Sequence, residues 1–182
     1  MDNTCLLICD IQTAFKGKGR NYDAVVESTI RLVKLAKLLE FSVHITEQVP
    51  DKLGRTDEDI LAALEAEEVE FTVDAKKQFA MTYPDTYDNY IIVGLETHVC
   101  VLQTIDLIVA ENKQVFCIFE GISSITKVDR DVAFNYFARY PANVRVMSLQ
   151  SFAFYSIKTA EHPHFRAVSK MFRHPVTTET EW

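Results

Sequence analysis

Residues 90–101 carry the strongest structural signal in the chain and read YIIVGLETHVCV. The first four residues form a continuous apolar run of aromatic and β-branched side chains, which is typical of a strand buried on both faces. Gly94 ends the run, and the apolar stretch from Val99 to Ala110 predicts a buried helix. A strand that leads through a short turn into a helix is the repeating unit of α/β folds.

The same alternation extends along the rest of the chain. Continuous apolarity predicts a second buried strand at Cys5–Cys9, and apolar residues at helical spacing predict a helix at 22–40. Further strands are predicted at 42–46, 69–73, 114–119 and 144–147, and further helices at 57–65, 129–139, 149–157 and 163–172. Together these elements predict one domain over residues 1–182 with a three-layer αβα, Rossmann-like architecture and a mostly parallel six-stranded sheet.

Composition and charge exclude several classes of protein. The 182 residues include 19 Lys+Arg and 26 Asp+Glu, giving a formal charge of −7, and this disfavours a general nucleic-acid binder because such proteins need a basic face. No apolar run approaches the roughly 20 residues that span a bilayer, so we expect no membrane partner. No signal peptide is recognisable, so we expect a cytoplasmic protein, with import into an organelle left open.

Side chains capable of chemistry follow three of the predicted strands. Asp10 follows the first strand, Lys76 and Lys77 follow the third, and residues 94–100 follow the fourth. Because ligands of parallel sheets bind beyond the carboxyl ends of the strands, we expect an acid, a base and a thiol to meet there. Position alone does not choose between the two lysines. For Asp10 a functional role is favoured, with capping of the following turn as the alternative.

The four cysteines differ in their predicted positions. Cys5, Cys9 and Cys117 lie within strands and are interpreted as buried core thiols. Cys100 stands where a helix begins, and there the helix dipole lowers the pKa of a thiol, although a structural role stays open. His98 is either a base for Cys100 or a structural histidine. A zinc site is disfavoured because no second cysteine pair or histidine pair has ligand spacing.

Several motifs together resemble the isochorismatase-like cysteine hydrolase superfamily, and most nearly its isochorismatase-domain-containing group. The motifs are DIQ at 10–12, TEQ at 46–48, LG at 53–54, Lys76 with FAM at 79–81, GLETHVCV at 94–101 and HPHF at 162–165. The resemblance covers essentially the whole chain and implies the isochorismatase-like hydrolase fold. It also implies a catalytic triad of Asp10, Lys76 and Cys100, a cis peptide bond between Leu95 and Glu96, and an oxyanion hole formed by the backbone N–H groups of Glu96 and Cys100.

The same resemblance implies a hydrolase that cleaves a non-peptide C–N bond of a small amide or amide-like substrate through a covalent cysteine intermediate. Asp10 would take the thiol proton and Lys76 would stabilise the developing charge. Lys76 is preferred to Lys77 because the family lysine stands three residues before the aromatic residue of this segment. The Asp-x-His…His metal site of nicotinamidases has no counterpart at residues 46–52, so we expect no metal and no cofactor.

Candidates for the substrate pocket are Gln12, Phe15, Tyr83 and His98, which are chosen for their nearness to the motifs. The helix after Cys100 is apolar nearly all round, which predicts a homo-oligomer, either a dimer or a tetramer. Two alternatives to the enzyme stay open. One is a catalytically weak scaffold protein with the same fold. The other, less well supported, is a role in RNA processing, for which the sequence offers neither a carboxylate cluster nor a long basic run.

Overall fold

A computed structural model describes residues 1–178 and contains a six-stranded sheet. Its strands are β1 (Thr4–Cys9), β2 (Ser42–Gln48), β3 (Phe71–Lys76), β4 (Asn89–Gly94), β5 (Gln114–Ile122) and β6 (Val144–Met147). All neighbouring strands are parallel, in the order β3-β2-β1-β4-β5-β6. The predicted α/β architecture is therefore confirmed. The strand order reverses between β1 and β4, and such a switch point is where open α/β sheets bind ligands.

Helices cover both faces of the sheet. They are α1 (Tyr22–Leu39), α2 (Pro50–Leu53), α3 (Glu58–Ala66), α4 (Leu102–Ala110), α5 (Lys127–Phe137), α6 (Leu149–Ile157) and α7 (Phe165–Met171). The apolar faces of α1, α3 and α6 pack in one core, and those of α4 and α5 pack in the other. None of the helices within residues 1–178 is long and apolar enough to cross a membrane.

Strand β1 separates the two cores. Leu6 and Ile8 belong to the α1 side, whereas Cys5, Leu7 and Cys9 belong to the α4 side, and all five are fully buried. This is the burial on both faces that continuous apolarity predicts. Polar residues therefore flank these five, with Thr4 before them and Asp10 directly after the strand.

The structure corrects two element boundaries near the strand ends. The third strand was predicted at 69–73 but occupies Phe71–Lys76, because its polar second half is also paired, with β2. Lys76 is thus the last residue of β3 and does not follow it. The predicted helix from Val99 begins instead as a π-helical turn at Thr97–Val101, which leads into α4.

Candidate active site

Asp10 and Lys76 form a buried ion pair at the carboxyl edge of the sheet. Lys76 Nζ donates to Asp10 Oδ2 over 2.7 Å, and the two side chains are 0% and 1% exposed. The Thr46 hydroxyl donates to the other carboxylate oxygen over 2.8 Å. Asp10 itself has a left-handed backbone conformation, with φ of 53°. The carboxylate is therefore held at both oxygens, each of which keeps a second lone pair.

The ammonium group of Lys76 is surrounded by oxygen acceptors. Besides Asp10, it donates to Gln48 Oε1 over 2.7 Å, to the Phe79 carbonyl over 2.8 Å and to the Gln78 carbonyl over 3.3 Å. Four acceptors share three hydrogens, so the amine is fixed in place. Lys77 is exposed. Of the two candidate lysines, only Lys76 meets Asp10.

Cys100 lies in the π-helical turn and contacts a second thiol. The residue is 7% exposed and shares a core cluster with Cys9, the last residue of β1. Burial, together with a hydrogen bond to the Cys100 side chain, raises the pKa of the Cys9 thiol well above its usual range. Cys9 therefore stays neutral and can donate to the Cys100 sulfur. The charges of Asp10 and Lys76 also act on Cys9, so this thiol lies near the ion pair as well as near Cys100.

Cys9, Thr46 and Gln48 are site residues that sequence reasoning missed. Cys9 was interpreted as a core thiol, and the two β2 residues were quoted only as part of a motif. Strand register would have found them: Cys9 is opposite Thr46, and Gln48 is opposite Lys76. Facing residues on neighbouring strands point to the same side of a sheet.

The loop from β4 to Cys100 approaches the end of β1 closely. Gly94 has φ of 148°, and a Cβ added there would lie 2.2 Å from the carbonyl oxygen of Cys9, so only glycine fits. The peptide bond between Leu95 and Glu96 is cis, as the family resemblance implies. The Leu95 amide donates to the same Cys9 carbonyl over 2.9 Å. These contacts hold the cysteine loop against the strand that carries Asp10.

His98 points away from Cys100. Its Nδ1 lies 3.2 Å from Ser124 Oγ and 3.6 Å from Glu96 Oε2. Two residues apart on a helical turn lie on nearly opposite sides, so the imidazole faces the loop before α5. Glu96 accepts a hydrogen bond from the Ile125 amide there, and burial raises the pKa of its carboxyl group. The structure thus does not bring His98 to the thiol as a base.

The other pocket candidates are spread over the molecule. Gln12 is fully buried, and its amide bonds the backbone of Gln48 and Gly54, so it positions the β2 end instead of facing a substrate. Phe15 lies in a 3-10 turn (Thr13–Phe15), and its carbonyl oxygen accepts a hydrogen bond over 2.9 Å from the amide of Gly19, where an added Cβ would lie 3.7 Å from the Leu95 side chain. Phe15 therefore stays near the cysteine loop.

Tyr83 lies at the opposite, amino edge of the sheet. Its ring packs edge-on against Tyr90, with 5.4 Å between the centroids, and its hydroxyl donates to Glu111. Tyr90 is the second residue of β4, at the other end of that strand from the cysteine loop. A cleft of about 550 Å³ at this amino edge is lined by Phe41, Phe71 and Tyr87, among others, and not by the triad.

A family model named isochorismatase domain matches residues 4–151, which include all three predicted triad residues. The chain belongs to the isochorismatase family. The resemblance inferred from the sequence motifs is confirmed. Of the three residues predicted as the triad, Asp10 and Lys76 lie at the carboxyl ends of β1 and β3, and Cys100 lies in the π-helical turn after β4.

Curated relatives of the chain span almost all of it. It is 28% identical over 181 residues to the secreted isochorismatase effector Isc1 of Phytophthora sojae, covering 94% of this chain and 85% of that protein. It is 25% identical over 177 residues to mouse isochorismatase domain-containing protein 2A, covering 96% and 85%. These matches support the isochorismatase-domain-containing group named in the sequence analysis.

Solved structures show the same fold. A structure described as the MAR1 ribonuclease of Caenorhabditis elegans matches with a TM-score of 0.89 at 26% identity, covering 98% of this chain and 94% of that one. Two less similar structures show the fold alone. The nicotinamidase SaPncA of Staphylococcus aureus has a TM-score of 0.69 at 16% identity, covering 80% and 98%. The YcaC product of Escherichia coli, described as an octameric hydrolase of unknown specificity, has a TM-score of 0.72 at 15% identity, covering 93% of each chain.

Proposed function

We propose that this isochorismatase-family protein is a cysteine hydrolase that cleaves a C–N bond in a small, uncharged amide or amide-like molecule. The observation that carries the proposal is the buried Asp10–Lys76 ion pair at the switch point of the sheet, which acts on the Cys9 thiol, while Cys9 in turn hydrogen-bonds to Cys100. A carboxylate and a cation next to a thiol are the groups that turn it into a nucleophile near neutral pH.

The proposed first half-reaction transfers the thiol proton of Cys100 to Asp10. The sulfur then bonds to the carbonyl carbon, and the carbonyl electron pair moves onto oxygen, which accepts hydrogen bonds from the backbone N–H groups of Glu96 and Cys100. When this adduct collapses, the C–N bond breaks and the proton on Asp10 passes to the leaving nitrogen. The acyl group is left on Cys100 as a thioester.

The second half-reaction regenerates the enzyme. Asp10 takes a proton from water, and the hydroxide adds to the thioester carbon. The C–S bond breaks, the carboxylic acid leaves, and the proton on Asp10 returns to the sulfur. In both halves Lys76 keeps its hydrogen bonds and offsets the negative charge, while the neutral Cys9 thiol donates to the Cys100 sulfur.

The charges around the site favour a neutral substrate. Asp10 and Lys76 cancel, and transfer of the Cys100 proton to Asp10 leaves the thiolate balanced by the lysine cation, so the site has no net charge in a region that is almost closed to solvent. A carboxylate on the substrate would add an unpaired buried charge, which is costly. The lysine amine is already shared among four oxygens and offers an anion no free hydrogen.

A library of small amides, ureas and esters tests the proposal, with Cys100→Ala as the matched inactive variant. We expect turnover of at least one uncharged amide by wild type, loss of that turnover by at least about 10³-fold in the variant, and a transient thioester visible by mass spectrometry. Turnover that survives the substitution would rule out the proposed nucleophile.

Alkylation tests the same claim without knowledge of the substrate. Burial raises the pKa of Cys5 to about 12 and raises that of Cys117 as well. We therefore expect iodoacetamide at neutral pH to label Cys100 at least about tenfold faster than either of these thiols. All four cysteines are free, and we expect them to stay reduced in a cytoplasmic setting. Equal labelling rates would argue against an activated thiol.

RNA cleavage is a second candidate activity, favoured by the description of the C. elegans structure as a ribonuclease. Among residues 1–178, no group of three or more His, Cys, Asp or Glu side chains is arranged to hold a metal ion. Testing RNA alongside the small-molecule substrates, with the same Cys100→Ala variant, distinguishes RNA cleavage from amide hydrolysis. RNA hydrolysis by wild type without amide turnover would replace the proposed function.

A further inference from the structure

Strand β3 leaves one edge of the sheet open. It is the terminal strand in the sheet order, and within residues 1–178 its outer side pairs with no other strand. All of its first five residues are exposed, including Phe71 at 36% and Val73 at 39%. An edge of this kind presents unpaired backbone N–H and C=O groups to any strand that approaches it.

The edge also lacks the features that usually prevent pairing. Proteins protect open edges with proline, lysine, a bulge or a covering segment. The first five residues of β3 read FTVDA and contain neither proline nor lysine, and β3 pairs with β2 in continuous register. The one charged side chain among them, Asp74, already accepts a hydrogen bond from the Thr82 hydroxyl over 2.9 Å. The edge is therefore suited to strand addition.

We propose that a second copy of this chain pairs with β3, antiparallel across a twofold axis, with Val73 at the axis. Such pairing would join two six-stranded sheets into one of twelve strands. The contact is isologous, so each copy supplies the same edge and the open strand is removed from both. A twofold axis perpendicular to the sheet keeps the α1 layers on one side and the α4 layers on the other.

The charges along the strand select the position of the axis. In an antiparallel pair, facing side chains point to the same side of the sheet. The twofold axis must therefore pass through a residue that faces its own copy, and not between two neighbouring residues. With the axis at Thr72, Glu70 would face Asp74 of the second copy, and with the axis at Asp74, two aspartates would face each other. Like charges directly opposite are destabilising. At Val73 no like charges meet.

The register at Val73 also gives favourable facing pairs. Phe71 lies opposite Ala75 of the second copy, so a large side chain meets a small one. Thr72 lies opposite Asp74, so a hydroxyl side chain, whose oxygen lies 2.7 Å from His44 Nδ1 in its own copy, faces a carboxylate and not a like charge. Cross-strand pairs of this kind each contribute up to about 1 kcal/mol in known sheets. The proposal does not depend on the proposed hydrolase chemistry.

Substitutions at two exposed valines test the interface. Val132 on α5 is the matched control, because it is a valine with 61% exposure on another surface. We expect sedimentation at micromolar concentration to show a wild-type dimer, a Val73→Lys monomer with native circular dichroism, and a Val132→Lys dimer. A wild-type monomer, a Val73→Lys dimer or dissociation by Val132→Lys would each overturn the proposal.

Cross-linking gives an independent readout that does not require dissociation. At the axis the two Val73 Cα atoms would lie about 5.5 Å apart, which is a usual Cα separation for a disulfide, and the native cysteines are buried. We expect Val73→Cys to form a covalent dimer on mild oxidation at least about tenfold faster than Val132→Cys. Equal rates for the two variants would overturn the proposed register, and a faster Val132→Cys would assign the contact to α5.

Discussion

Replacing Lys76 with methionine removes the cation of a buried ion pair and nearly keeps the length of the side chain. Asp10 would remain buried, with the Thr46 hydroxyl as its remaining side-chain donor. Removing one partner of a buried pair typically costs about 3–5 kcal/mol, because the other charge is left uncompensated. Gln48 and the Phe79 carbonyl would lose a donor as well. We therefore expect Lys76→Met to lower the free energy of unfolding by about 3–5 kcal/mol.

The double variant Asp10→Asn with Lys76→Met separates the charge effect from the packing effect. With both charges gone, no unpaired ion remains in the core, so the double variant should be less destabilised than the sum of the single variants. We expect a coupling energy of about 2 kcal/mol or more. If a single variant does not fold, a folded double variant would support the same conclusion.

Urea unfolding followed by far-ultraviolet circular dichroism measures these energies. Lys77→Met is the matched control, since the adjacent lysine is exposed and should change stability by no more than about 0.5 kcal/mol. The reasoning fails if Lys76→Met costs less than about 1 kcal/mol. It also fails if the effects at Asp10 and Lys76 add within about 0.5 kcal/mol.

Three further predictions concern the cysteine loop. Cys9→Ala should slow the alkylation of Cys100 about tenfold, because the thiolate loses a hydrogen-bond donor; an unchanged rate would remove Cys9 from the site. Glu96→Gln should be more stable than wild type at pH 7 but not near pH 4. Burial raises the pKa of the Glu96 carboxyl group in the folded protein. The wild type therefore loses stability as the pH rises from the ordinary carboxyl pKa through the raised one, whereas the glutamine variant does not. Thermal melts at both pH values measure this, and an equal difference at each would contradict it. Gly94→Ala should lower unfolding free energy in urea by about 3 kcal/mol or more, given its positive φ and the close Cys9 carbonyl.

The sequence predicts best the strands and helices that carry one clear local signal, such as a continuous apolar run or a capping residue. Strands β1 and β4 are buried on both faces, so their continuous apolar runs mark them clearly. The helix predicted at 57–65 is α3, and Asp57 caps it by accepting a hydrogen bond from the Asp59 amide over 3.0 Å. The bounds of strand β3 were predicted wrongly because β3 is an exposed edge strand that ends in polar residues, so it has no continuous apolar run to mark where it ends.

The site was harder to predict because its supporting contacts depend on strand pairing. Asp10, Lys76 and Cys100 could be named from motifs and from the rule that ligands bind at strand ends. The contributions of Thr46 and Gln48 depend on the register of β2 against β1 and β3, which one sequence does not reveal. Tyr83 follows β3 in sequence, yet the chain carries it to the opposite edge of the sheet, where it packs on Tyr90.

The ion pair joins residues that are 66 positions apart in the chain. The cysteine loop lies further along still, beyond β4, so no short segment of the polypeptide contains the site. Contacts between distant residues require long loops to close, and this closure costs conformational entropy before the contacts can stabilise the fold. Reactivity of Cys100 should therefore appear late in refolding, once β1 has paired with both β2 and β4. The rate of Cys100 alkylation after dilution from denaturant would then report completion of the fold, not only the presence of a thiol.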